Sequence, residues 1–171
     1  MTIRTLCLAA LGVAVLASGA LFAQSRTIGQ IALNRNDYTV LTRVVTAAGY
    51  TTAWEGTEMY TVFTPSDLAF AQLPAGTVDT LMLPANKARL TSVLTYHVVP
   101  GRMTSEELAQ RIQEGGGSTT LTTLNGGTLT ATMQNGVVVL RDAQGGVSTV
   151  TATDATGSNG VVYSVDRVLM P

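Results

Sequence analysis

The sequence predicts an α+β domain with its helices mainly in the N-terminal half and a β-meander in the C-terminal half. Up to about residue 94, apolar residues recur at three- and four-residue steps, the spacing of amphipathic helices. Between 119 and 169, β-branched runs alternate with Asn-Gly and Gly-Gly pairs, the pattern of strands joined by tight turns. No tandem repeat separates the two patterns, so they are expected to share one mixed core.

Residues 1–23 read as a secretory signal peptide. Arg4 precedes an apolar stretch that ends in the small residues Ala17, Ser18, Gly19 and Ala20, and cleavage is expected after Ala23. Left uncleaved, the stretch from Leu6 to Ala23 would be long enough to anchor the chain in a membrane. Cys7 is the only cysteine and leaves with the leader, so residues 24–171 fold without a disulfide.

Over 27–49, Ile28, Ile31 and Ala32, then Leu41, Val44, Val45 and Ala48, predict two short amphipathic helices. Asn36 or Asp37 would cap the second, and Gly49 would close it. Tyr60, Val62 and Phe63 suit a strand that runs straight into a helix at Thr64-Pro65-Ser66-Asp67. Thr64 is expected to accept from the Asp67 amide while Asp67 reaches back, with Pro65 at the first helical position. Leu68, Ala69, Phe70 and Leu73 would form the apolar side of that helix.

Another helical turn or two follows Gly76, and a longer helix starts at Pro84 with Leu90, Val93 and Leu94 inward; the same period carries Tyr96 and His97 to the core. After a Pro100-Gly101 turn, Thr104 and Glu107 form a capping box that opens a helix through Leu108 and Ile112, stopped by the glycines at 115–117. Strands then alternate with turns at Asn125-Gly126, Asn135-Gly136, Gly145-Gly146 and Asn159-Gly160.

The charge balance, 10 Lys+Arg against 11 Asp+Glu with no run of either sign, argues against nucleic acid and anionic membrane surfaces as partners. One histidine and one cysteine cannot furnish a zinc site. The stretch DATGSNG at 154–160 echoes a calcium loop, but Thr156 and Ser158 replace carboxylates, Asn159 replaces the glycine and Val165 stands where the bidentate Glu belongs. Lys87, the sole lysine, lacks a phosphate-binding glycine pattern, and no G-x-S-x-G elbow occurs. Asp67 and Asp166 are candidates for a carboxylate pair of the glycosidase kind, yet helix capping and a place in an apolar strand favour structural duties for both. No catalytic residue, metal or cofactor is therefore assigned. His97 is expected to be buried and to donate to a hydroxyl or carboxylate such as Thr61, Thr64 or Asp67, fastening the helical half to the sheet.

Three segments carry a resemblance. TVFTPSDLAF at 61–70, LTYHVVPG at 94–101 and SNGVVYSVDRVLMP at 158–171 resemble, in order and spacing, the first conserved box, the Tyr-His motif and the second conserved box of the fasciclin domain; TIGQIA, QLPAGTVDTLM and TTLNGGTLT are also similar to that family. The resemblance implies a wedge-like pair of β-sheets with a helical layer over residues 24–171. It further implies a non-enzymatic secreted or surface protein tied to cell adhesion and matrix contact. Its motif residues here are Thr61, Phe63, Thr64, Pro65, Asp67, Phe70, Asn159, Gly160 and Asp166, and receptor binding would carry over onto Tyr96 and His97. Two positions depart: Tyr163 stands where a histidine is usual, and Leu83 where an aspartate commonly caps the helix.

The resulting expectation is a secreted or periplasmic binding and adhesion module whose partner is an unidentified protein or polysaccharide at the cell surface or matrix. The second expectation is a small carrier holding an apolar ligand between sheet and helices, which requires an enclosed cavity of several hundred Å³.

Overall fold

A computed structural model describes residues 26–50 and 56–171, so the predicted leader and Cys7 lie outside the described residues. The chain passes through α1 (Ile28–Leu33), a 3-10 turn at 36–38, α2 (Thr39–Ala48), β1 (Tyr60–Pro65), α3 (Asp67–Ala71) and α4 (Thr77–Met82). A second 3-10 turn at 84–86 leads to α5 (Lys87–Tyr96), β2 (Val98–Pro100) and α6 (Ser105–Glu114). The meander follows as β3 (Ser118–Thr122), β4 (Thr128–Gln134), β5 (Val137–Arg141), β6 (Val147–Gly157) and β7 (Gly160–Val165).

The strands lie in the order β2-β1-β7-β6-β5-β4-β3. Every pair is antiparallel except β1 and β7, which run parallel from Tyr60↔Gly160 to Pro65↔Val165. The two sheets of the wedge share β6. Its residues Val147, Ser148 and Thr149 pair with β5, whereas Val150 to Gly157 pair with β7 through two register irregularities. Such irregularities bend a strand, which lets β6 turn from one sheet into the other.

β7 is buried along its whole length and on both faces. On one face Val161, Tyr163 and Val165 pack with Leu108 and Ile112 of α6 and with Leu121, Leu129 and Leu140 of the meander. On the other, Val162 meets Ile28, Leu41, Val45, Leu90 and Leu94 of the helical layer. A central strand with a parallel neighbour and covered faces explains the continuous apolar run at 161–163 and Val165.

The predicted capping box of α6 forms, with Thr104 N donating to Glu107 Oε2 at 2.8 Å and Glu107 N to Thr104 Oγ1 at 3.3 Å. The predicted cap of α3 does not. Thr64 and Pro65 belong to β1, Ser66 is the N-cap residue, and no side chain bonds there. Pairing with β7 extends the strand two residues further than the motif suggested, and the Thr64 hydroxyl donates across to Tyr163 O at 2.9 Å. Nor do Asn36 or Asp37 cap α2, which starts after a 3-10 turn with Tyr38 at its N-cap. Leu68, expected on the apolar side of α3, is 77% exposed. The five-residue helix turns Ala69 inward against Val93 and Val168, so its neighbour points away. The Asn159-Gly160 pair differs as well: Gly157 pairs with Gly160, so the connection is Ser158-Asn159 and Gly160 opens β7.

Candidate functional site: the Tyr96–His97 node

α5 buries Leu90 and Leu94 against the helical layer, while Tyr96 on its last turn enters the sheet-side core and His97 stands buried at its C-cap. The imidazole is 4% exposed and lies between two main-chain groups: Nδ1 is 2.7 Å from Val93 O, and Leu169 N lies 3.0 Å from Nε2. A carbonyl only accepts and an amide only donates, so Nδ1 carries the proton and Nε2 is the acceptor. The ring therefore ties α5 to the closing segment after β7, across 72 residues of sequence. Thr61, Thr64 and Asp67, the expected partners, are not the ones it uses. Burial pushes its pKa down to about 4, against smaller upward effects of the Val93 carbonyl and the Asp142 carboxylate.

Tyr96 is fully buried. Its hydroxyl donates to Thr128 O at 2.8 Å and accepts from Ala143 N at 3.0 Å, bridging two turns of the meander. Burial raises its pKa, opposed by the Ala143 amide. Its ring lies over Gly127, where a Cβ would come within 2.5 Å of a ring carbon, so the second glycine of the Asn-Gly-Gly phrase leaves room for this tyrosine.

The box residues act in the same way. Asp67, instead of capping its own helix, caps α2: Oδ1 accepts from Val40 N at 2.9 Å, and Oδ2 from Thr39 N at 3.2 Å and Thr39 Oγ1 at 2.6 Å. Asn159 Oδ1 accepts from Ile28 N at 2.8 Å, at the start of α1. Asp166 lies just past the end of β7 and not inside it; its Oδ1 accepts from Thr149 N at 2.7 Å and from Ser148 Oγ at 3.3 Å, where β6 changes sheets. Thr61 Oγ1 donates to Gly101 O and accepts from Met103 N, holding the turn after β2. A Cβ on Gly160 would overlap the Tyr60 carbonyl, so the parallel pairing of β1 with β7 requires glycine there. Phe63 stacks on Tyr163 with ring centroids 5.4 Å apart. The Tyr163 hydroxyl, pushed up to about 12 by burial, donates to Met103 O at 3.0 Å.

Sequence reasoning missed Asp142. Its Oδ1 accepts from Gln144 N and Gly146 N within the turn, while Oδ2 accepts from Met170 N, so it is a second anchor of the closing segment. An aspartate just ahead of a Gly-Gly turn was the available signal; its long-range bond left no local trace.

Beside His97, α2, α4, α5 and β1 surround an apolar cavity of about 20 Å³ whose lining includes Leu41, Phe70, Leu81, Leu94 and Val168. That is room for about one water molecule, far below the space an apolar cargo needs. Both ring nitrogens of His97 are engaged with main-chain groups, so the node is built to hold segments together and not to move a proton onto a substrate. Among the described residues no group of three or more His, Cys, Asp or Glu side chains could hold a metal ion, and no helix is long and apolar enough to cross a membrane.

A family model described as Fasciclin domain matches residues 36–171. The chain is 37% identical over 145 residues to Protein sll1483 of a Synechocystis strain, covering 85% of this chain and 73% of that one. It is 36% identical over 115 residues to the cell surface glycolipoprotein MPB83 of Mycobacterium bovis, covering 66% of this chain and 44% of the relative. Among solved structures, a FAS1 domain pair from the insect cell adhesion molecule fasciclin I matches with a TM-score of 0.54 at 17% identity, covering 82% of this chain and 43% of that chain, a likeness of fold.

Proposed function

Because the chain belongs to the fasciclin domain family, we propose that it is a non-enzymatic binding and adhesion module that works outside the cytoplasm. One observation carries this reading: the Tyr96 hydroxyl, His97 Nε2, the Asp67 carboxylate and Asn159 Oδ1 bond to backbone groups of distant segments, which leaves the outer surface for recognition. A contribution of Tyr96 and His97 to binding would then run through the segments they hold, since both side chains are buried. The cell-surface name of one relative supports an extracytoplasmic address. We assign residues 1–23 to a cleaved signal peptide and 24–171 to the domain. The burial of Ile28 and Ala32 in the helix-side core supports a domain start upstream of residue 36. The partner would be a protein or polysaccharide of the cell surface or matrix.

The test is retention of cell-envelope or matrix material by the purified full chain, against the same chain denatured. Selective retention by the folded protein is expected. Equal retention by both, or turnover of an envelope polymer, would contradict the reading.

A further inference from the structure

At the carboxyl ends of the parallel strands β1 and β7, the chain leaves β1 into α3 and leaves β7 into the closing segment, and a groove of about 460 Å³ opens between them. Asp37, Asp67 and Asp166 line it together with Ser66, Leu68 and Ser164, and no lysine or arginine does. Asp67 and Asp166 are fixed in position by the amides of α2 and β6. Among the described residues, Asp166 Oδ2 and both carboxylate oxygens of Asp37 accept no hydrogen bond. Ser164 supplies an independent observation. It is 8% exposed, and its hydroxyl has no hydrogen-bond partner among the described residues. A buried hydroxyl left unpaired is unfavourable, so a polar group arriving in the groove would recover what the fold alone forgoes.

The chemistry narrows the ligand. The carboxylates are too dispersed for a metal site. The groove has no aromatic residue on which a sugar ring could stack. The open carboxylate oxygens of Asp37 and Asp166 beside a buried serine oxygen suit a group with several donors in a fixed fork, which is a guanidinium. Leu68, 77% exposed beside them, offers an apolar surface to the residue next to that arginine.

We propose that this groove receives an arginine side chain of a protein partner, with Leu68 packing against the adjoining apolar residue. The proposal rests on the reading of the domain as a binding module and places its contact at the ends of β1 and β7.

The test uses the ¹⁵N-labelled full chain with the peptide acetyl-Leu-Arg-Leu-Arg-amide and its citrulline counterpart, which keeps the shape and removes the charge. Saturable shifts are expected at the amides of Ser66, Leu68, Ser164 and Asp166, and their loss with the citrulline peptide. Asp37→Asn should weaken the arginine peptide about fivefold, the scale of one rim charge. Ser164→Ala should weaken it too without lowering the melting temperature; neither side chain holds another segment, so both variants should fold. Shifts elsewhere, equal binding of the citrulline peptide, no saturation by a few millimolar, or the same amides responding to cellohexaose instead would overturn the proposal. If envelope material is retained equally by the wild type and the Asp37→Asn/Ser164→Ala double variant, the groove assignment fails while the binding-module reading stands. If the wild type retains nothing, that reading fails whatever the peptides do.

Discussion

The meander and the helical half solve the same problem by different means. From β3 to β6 each strand meets the next through a short turn, and the ladder bonds satisfy the backbone locally. At Asn135-Gly136 both residues have positive φ, 51° and 79°, which matches a two-residue hairpin. The helices are short, α1 and α4 having six residues and α3 five, too few to be stable alone. Remote side chains complete them: at the start of α1 Asn159 accepts from Ile28 over 131 positions, beside a local Thr27–Gln30 capping box, α2 is capped by Asp67 over 27, and Leu169 is held by His97 over 72. Asp67, His97 and Asn159 thus bond the backbone of segments remote in sequence, and the helical half is tied together across the chain where the meander is tied locally.

That contrast can be broken at its strongest point first. Gly160→Ala places a Cβ on the Tyr60 carbonyl and forces the parallel strands apart. A loss of about 3 kcal/mol or more is expected in urea unfolding, at the upper end for single substitutions; a variant as stable as the parent would show that β1 and β7 do not need this approach.

His97→Ala removes the ring between Val93 O and Leu169 N, leaving a cavity and two buried main-chain groups unpaired. The expected loss is about 2–4 kcal/mol, with faster amide exchange at Leu169 and unchanged protection in β3 to β5. The same substitution should flatten an acid dependence. The ring takes up a proton at about 4 when folded but at 6.5 when unfolded, so below 6.5 the unfolded chain binds more protons. Stability is complete above that pH and falls as the medium is acidified toward 4, by about 3 kcal/mol. Denaturation curves at pH 7 and 4.5 check this, since the His97→Ala variant should lack that part of the slope.

Asp67→Ala should cost about 1–2 kcal/mol, the range for losing a helix cap. Exchange should accelerate at Thr39 and Val40, in α2, before it does in α3; the reverse order would restore the local cap that the sequence suggested. Asn135→Ala, in the meander, should cost about 1 kcal/mol through strain at a positive φ. Its effect on exchange should stay within β4 and β5, without reaching the helices.

How much could be read from the chain follows the same division. The turns of the meander, the Thr104–Glu107 box and the inward placement of Tyr96 and His97 depend on neighbours within a few residues, and local pattern displays them. The partners of Asp67 and His97 depend on chain packing, and there local chemistry misled: an aspartate three after a threonine looks like a capping box whether or not the strand runs on through it. Leu68 was misplaced because the helical period was extended over a helix too short to use it. The groove at the ends of β1 and β7 joins Asp37, Asp67 and the Ser164–Asp166 stretch from three distant parts of the chain. Sequence alone could nominate Asp67 and Asp166, not bring them together.

The imidazole of His97 is the most direct probe of a fold tied by side chains to distant backbone. Long-range ¹H–¹⁵N spectra of the labelled full chain, recorded from pH 8 to 3, should show a single neutral ring protonated on Nδ1 that stays so until about pH 4. A ring protonated on Nε2, or one that titrates near 6.5 in the folded protein, would contradict the account.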